Sequence, residues 1–240
     1  MTAPFKSPAA VAGLLSDGPI VLPALLLCDF GHLADEVARL EAAGARAIHL
    51  DVMDGRFVPQ LTYGLVVVEA VRRAATVPIE IHLMIEAAHQ TAADYARAGG
   101  DIVTVHIEGL SQPRETLAAI ATAGGQPHLA MSPGTSVERV APLLDEAAGV
   151  LVMSVEPGYG GQAFLPASLD KLRELRRLRA DCGLSLQLGI DGGIAGGTIG
   201  PAAKAGAELI VAGSAVIRSG DYAVAIRDLQ QIARAQAAAG

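Results

Sequence analysis

One short junction recurs along the chain. An alanine-rich stretch closes on glycine and the next residues turn apolar: Ala42-Ala43-Gly44-Ala45, Arg97-Ala98-Gly99-Gly100, Thr122-Ala123-Gly124-Gly125 and Lys204-Ala205-Gly206-Ala207. In each, glycine stands where a helix ends in the left-handed conformation, just before the chain enters a sheet. Gly149 is expected to play the same part after Ala147-Ala148. The junctions are spaced by one or two helix-plus-strand units of roughly 25 to 30 residues each. Helix-then-strand repetition of this kind is consistent with parallel strands joined by helical crossovers.

The pattern predicts strands over 20–27, 47–53, 78–84, 101–106, 127–131, 149–155, 184–190 and 208–212. Helical stretches fall near 31–43, 63–75, 87–98, 112–123, 136–147, 166–181, 197–205 and 220–237. Each strand is followed by a helix, which reads as an α/β protein built as a single (β/α)8 TIM barrel, and the 240 residues approach the ~250 such a barrel needs. A doubly wound open sheet is the rival, because alternation alone does not prove closure. No linker divides the chain, so residues 19–240 are expected to form one barrel domain. Residues 1–18 are expected to form an N-terminal extension, partly disordered.

Composition narrows the partners. Eighteen Lys and Arg against 25 Asp and Glu give a net charge of −7 with no basic run, which argues against nucleic acid and anionic membranes. The N-terminal stretch has no long apolar segment of the signal-peptide kind, and nothing later approaches a membrane span. Cys28 and Cys182 lie far apart and suit reduced thiols better than a disulfide framework. A cytoplasmic protein is the expectation.

Strand parity locates the polar groups. Alternate side chains share a face, so His49, Asp51 and Met53 point one way while Ile48, Leu50 and Val52 point the other. In the third strand Glu80, His82 and Met84 point inward, and in the seventh Ser185, Gln187 and Asp191 do. His49, Asp51, His82 and Asp191 thus sit at or near strand ends that share one face of a parallel barrel, where catalytic groups gather. A buried carboxylate needs a partner or a metal, and two imidazoles with two carboxylates make a site for Zn²⁺ or a related divalent ion. Singly, each of these residues reads as a hydrogen-bonded core histidine or a turn-capping aspartate. Their common placement favours the site. Met53, Met84 and Met153 serve either as core filler or as pocket wall. Asp54 reads as a turn residue, and His106 ends a strand with no evident partner.

Glycine loops follow the last three strands: Gly158-Tyr159-Gly160-Gly161, Asp191-Gly192-Gly193 and Gly213-Ser214. Glycine lets backbone N–H groups approach an anion closely, and barrels often build a phosphate site from their last loops. Each pair alone is usually only a turn. Three in succession, without a basic cradle, suit a small monophosphate.

These residues resemble the ribulose-phosphate 3-epimerase family from about Val21 to Ile232. The resemblance rests on His49-Leu50-Asp51-Val52-Met53-Asp54-Gly55 with Phe57-Val58-Pro59, His82-Leu83-Met84, Ser154 through Gln162, Asp191-Gly192-Gly193 and Ala212-Gly213-Ser214. It implies a barrel of the ribulose-phosphate-binding type. It also implies a divalent metal held by His49, Asp51, His82 and Asp191, most often Zn²⁺, with Fe²⁺, Mn²⁺ or Co²⁺ as alternatives. It implies that Asp51 and Asp191 are the acid–base pair, that His82 and the glycine loops meet the substrate, and that D-ribulose 5-phosphate and D-xylulose 5-phosphate interconvert. No organic cofactor is expected. The partner is a small ketose phosphate, and the family points to a homo-oligomer.

The chemistry agrees, since inverting a carbon beside a ketone needs one carboxylate to remove a proton and another to return one through an enediolate. The departures cluster at strand one. The family's proline–serine pair is here Pro23-Ala24, Leu27 falls where a small polar residue is usual, and Gln60 and Ser132 replace asparagines. Ala24 cannot donate a hydrogen bond to substrate. The rivals are therefore an epimerase of another ketose phosphate, such as the hexulose D-allulose 6-phosphate, and a non-catalytic sugar-phosphate-binding barrel.

Overall fold

A computed structural model describes residues 11 and 13–239. Eight strands run parallel: β1 (Ile20–Pro23), β2 (Ile48–Met53), β3 (Ile79–Met84), β4 (Ile102–His106), β5 (Gln126–Met131), β6 (Gly149–Met153), β7 (Gln187–Asp191) and β8 (Leu209–Ala212). They pair in the order β1-β8-β7-β6-β5-β4-β3-β2. A parallel bridge between Ala24 and His49 brings the two end strands together, so the sheet curls into a barrel rather than staying open. The crossovers are α1 (Leu33–Ala42), α2 (Leu65–Ala74), α3 (Ala88–Arg97), α4 (Pro113–Thr122), α5 (Ser168–Asp181) and α6 (Ile199–Ala205). After β8 come the short α7 (Ser214–Ile217) and the terminal α8 (Tyr222–Ala237). No helix among the described residues is long and apolar enough to cross a membrane.

The junction glycines behave as their positions dictate. Gly44, Gly99, Gly124 and Gly206 have φ of 95°, 120°, 96° and 117°. Gly149 does not: it opens β6, and its missing side chain makes room for the His128 ring, whose Cε1 would lie 2.5 Å from an added Cβ.

Three elements differ from expectation. The strand predicted over 20–27 stops at Pro23, and Leu25–Leu27 form a 3-10 turn. An unbroken leucine run carries no period-2 signal, and leucine lacks the branching that favours a strand. The helix predicted over 136–147 is two 3-10 turns, Val137–Arg139 and Ala141–Leu143. Pro142 supplies no N–H and would clash with the preceding turn of an α-helix. The strand predicted over 184–190 is Gln187–Asp191.

Two apolar layers result. Outward residues such as Ile48, Leu50, Ile81, Val103, Leu188 and Ile210 pack under the helices. Inside the barrel the lower layer is apolar, with Ile20, Leu22, Ala47, Ile102, Leu151 and Leu209. Of the N-terminal extension expected over 1–18, residues 1–10 and 12 lie outside the described residues. Val11 and Leu14 are buried in this same lower layer and close the amino-terminal end of the barrel.

Candidate active site

Polar residues enter the barrel from one side. β2 supplies His49 and Asp51, β3 Glu80 and His82, β4 Thr104 and His106, and β5 His128, all of them buried. Asp191, at the end of β7, faces them from the opposite wall and is half-buried. Strand register sets Asp51 beside His82 and His49 beside Glu80.

His49 Nε2 lies 3.1 Å from Asp51 Oδ1 and 3.8 Å from Asp191 Oδ2, while His82 Nδ1 lies 3.3 Å and 3.6 Å from the same two oxygens. One donor atom from each of the four residues falls within 4.8 Å of the others. Behind His49, Glu80 Oε2 stands 2.9 Å from Nδ1. A carboxylate only accepts, so Nδ1 carries the proton and a neutral His49 turns a bare lone pair toward two more carboxylates. Acceptors facing acceptors need positive charge between them. A proton is one answer: burial opposes a charged His49, yet Asp51 and Glu80 outweigh it and raise its pKa well above the usual 6.5. The reciprocal pull of His49 outweighs burial at Asp51, which stays ionised, and holds Glu80 near 2. A divalent cation is the other answer, and this mixed nitrogen and oxygen set can hold one.

Behind His82 stands a second array. His82 Nε2 and His106 Nε2 are 2.9 Å apart, and His106 Nδ1 is 3.0 Å from Glu108 Oε2. Glu108 Oε1 also accepts from the Ser132 N–H at 2.8 Å and from the Thr135 hydroxyl. Burial opposes ionisation of Glu108, but the bonds from His106 and Thr135 outweigh it and pull the carboxyl down to about 2. Burial, helped by the neighbouring His82 and only partly opposed by Glu108, drives His106 the other way, to about 4, so its ring is neutral. The Phe57 ring covers it, with centroids 4.9 Å apart.

A cleft opens above the cluster. Asp51 and Asp191 form its floor, and Met53, Met84 and Met153 line it. Gly158 through Gly161, Gly192, Gly193, Gly213 and Ser214 form one wall, with Ala24, Leu26 and Leu27 beside them. Met53 and Met84 pack with Val58, under Leu26 and Phe57, as an apolar cap. The loops fit closely because Gly192, at φ 116°, leaves no space for a side chain: a Cβ there would meet Val155 Cγ2 at 2.5 Å. Ser154 fastens the same loop, its hydroxyl donating to the carbonyls of Asp191 and Gly192 at 2.9 and 2.6 Å.

Most expected site residues therefore meet in one place. His82 is the exception among those expected to touch substrate: fully buried, with both ring nitrogens engaged, it lies below the cleft rather than in its wall. Asp54 is a turn residue, accepting from the N–H groups of Arg56, Phe57 and Glu86. His106 has partners after all. Its inward parity with Thr104 was the available signal, but Glu108 lies past the strand on a 3-10 turn, where parity gives no direction.

A parallel barrel with a cleft and a convergent polar cluster at the carboxyl ends of its strands defines the class, a (β/α)8-barrel enzyme. The sequence profile of the ribulose-phosphate 3-epimerase family matches residues 20–217. Ribulose-phosphate 3-epimerase of Mycobacterium bovis is 43% identical over 219 residues, covering 91% of this chain and 94% of the relative. That of Escherichia coli K12 is 39% identical over 212 residues, covering 88% and 94%. In fold the chain is similar to KGPDC from Streptococcus mutans, with a TM-score of 0.70 at 14% identity, covering 90% of this chain and 98% of that one. The chain belongs to the ribulose-phosphate 3-epimerase family, isomerases that act on carbohydrates.

Proposed function

We propose that the protein is a metal-assisted 3-epimerase interconverting D-ribulose 5-phosphate and D-xylulose 5-phosphate. One observation carries the reading: two carboxylates, Asp51 and Asp191, share the floor of a cleft whose far wall is glycine loops. A single carboxylate with a binding pocket would serve recognition. Two suit removal of a proton at C3 and its return to the opposite face.

His49, Asp51, His82 and Asp191 would hold one divalent cation, with Zn²⁺ favoured by the pair of imidazoles and Fe²⁺, Mn²⁺ or Co²⁺ as alternatives. When bound, the cation supplies Lewis-acid stabilisation of the negative charge that develops on the substrate's oxygens. Asp51 and Asp191 hold and move the proton, one ionised while the other is protonated, and exchange parts with direction. The phosphate lies against backbone N–H groups of Gly158 through Gly161, Gly192, Gly193 and Gly213-Ser214. Met53, Met84 and Met153 keep water and competing proton donors away from the carbanion centre. No organic cofactor enters. The free thiols Cys28 and Cys182 fit a reducing compartment such as the cytoplasm, and the family's homo-oligomeric habit is the expectation for assembly.

The test is deuterium entry at C3 by NMR, with metal-loaded protein and a panel of ketose phosphates in D₂O. Exchange with D-ribulose 5-phosphate supports the reading. Exchange with hexulose 6-phosphates alone reassigns the substrate, the outcome that the apolar wall of Ala24, Leu26 and Leu27 would favour. No exchange with any of them refutes the epimerase.

A further inference from the structure

We propose that Glu108 and His106 are positioning residues that set the tautomer of His82 and so present its Nδ1 lone pair to the cation; this rests on the metal reading above. The chain of contacts runs Glu108 Oε2, His106 Nδ1, His106 Nε2, His82 Nε2, His82 Nδ1, and ends at Asp51 and Asp191.

Each link has one allowed direction. Two imidazole nitrogens 2.9 Å apart need one donor and one acceptor, and the pair alone does not say which. Glu108 decides. Its carboxylate accepts at both oxygens, so His106 Nδ1 carries the proton and His106 Nε2 is a lone pair. His82 Nε2 must then donate, which in the neutral ring leaves Nδ1 as the lone pair facing the carboxylates, the form a cation between them would select. A histidine that binds a metal through one nitrogen and donates from the other is the usual result of such support. Here the support reaches across two rings. Glu108 cannot turn, because Oε1 receives the Ser132 N–H, a group that only donates, and the Thr135 hydroxyl. Lys171 Nζ pins that loop in turn, donating to the carbonyls of Ser132, Pro133 and Thr135 at 2.9, 2.7 and 2.6 Å. Ser132 Oγ, the other polar atom near His106 Nδ1, is farther away at 3.5 Å.

The geometry makes Glu108→Gln an informative variant. The Ser132 N–H fixes the amide oxygen at the Oε1 position, so the NH₂ faces His106 Nδ1. Both rings then invert, and His82 points an N–H at the cation. Tautomers are read from two- and three-bond ¹H–¹⁵N correlations of the imidazoles, and metal binding from the visible bands of Co²⁺ under chelator competition. Expected are Nδ1–H on His106 and Nε2–H on His82 in the natural protein, inversion of both in Glu108→Gln, and Co²⁺ affinity lower by about 10- to 100-fold. Thr135→Val, which loosens the loop but leaves the carboxylate on His106, is expected to bind Co²⁺ within about threefold of the natural protein, well short of that loss. Unchanged tautomers in Glu108→Gln, or an equal loss in Thr135→Val, overturns the relay. The natural protein's spectrum decides alone if Glu108→Gln does not fold: a proton on His106 Nε2 overturns it. A natural protein that takes up no Co²⁺ sinks the metal reading itself, a result distinguishable from failure of the relay.

Discussion

Glu80 Oε2 lies 2.9 Å from His49 Nδ1, with both side chains fully enclosed in the barrel. Its other oxygen accepts from the Thr104 hydroxyl at 2.7 Å, so the carboxylate is held at both ends. This contact fixes which nitrogen of His49 faces Asp51 and Asp191. Glu80→Gln removes the charge that holds the Nδ1 proton. It is expected to weaken divalent-metal binding about 10- to 100-fold and to lower stability by roughly 1–3 kcal/mol. Chelator competition and urea unfolding measure the two effects. An affinity equal to that of the natural protein would mean that His49 is oriented by something other than Glu80.

The four-residue cluster was legible because parity is rigid. Once β2 is a strand, His49 and Asp51 must share a face, and the same rule fixes His82 and Asp191. Repetition of the glycine junction made the barrel legible in the same way. What escaped lies where no period applies. Leu25–Leu27 and the segment around Pro142 are 3-10 turns whose shape follows from tertiary packing and one missing N–H. The short α7 has too few residues to show a helical repeat. Glu108 belongs to a turn after β4, and only folding brings it to His106 and to Thr135 in the following loop. Glu80 faced inward by parity, but its partner His49 is 31 residues away. Sequence periodicity reports faces, whereas contacts between strands need register.

Asp191 shares the cleft floor with Asp51, yet its main chain is held independently of its carboxylate by the Ser154 hydroxyl and N–H. Asp191→Asn therefore leaves the loop in place while removing the carboxylate proposed as one proton carrier. Turnover is expected to fall by about 100- to 10,000-fold, the usual share of a positioned acid or base. Steady-state assay and C3 deuterium exchange both read the loss. Retained activity would refute the role assigned to Asp191.

His128 adds an acid-labile element beneath the cluster. Burial lowers its pKa from 6.5 to about 4, against the partial opposition of Glu80. Its Nε2 is buried without a hydrogen-bond partner. Between those two values the unfolded chain binds a proton that the folded protein refuses. Stability contributed by the neutral ring is present above pH 6.5 and is lost as pH falls toward about 4. His128→Leu fills a similar volume without titrating. Relative to the natural protein it is expected to gain about 2 kcal/mol at about pH 5 compared with about pH 7.5. Urea unfolding at the two pH values measures the difference. A variant whose relative stability does not change with pH would show that His128 does not charge on unfolding.

Ala24 forms the cleft wall beside Gly213, within 3.8 Å of where a Cβ on that glycine would stand, and neighbours the glycine loops. Its methyl group offers a bound substrate no hydrogen bond of its own. Ala24→Ser restores one in nearly the same volume. A neutral hydrogen bond contributes about 0.5–1.5 kcal/mol, so kcat/KM for D-ribulose 5-phosphate is expected to rise roughly 2- to 12-fold. The same variant assayed with D-allulose 6-phosphate separates the two substrate readings. A rise confined to the pentulose makes Ala24 a residue that relaxes selection between sugars of different length. Equal gains with both place the new hydroxyl on the shared phosphate or C1–C3 end. No change with either would mean that substrate does not reach this wall.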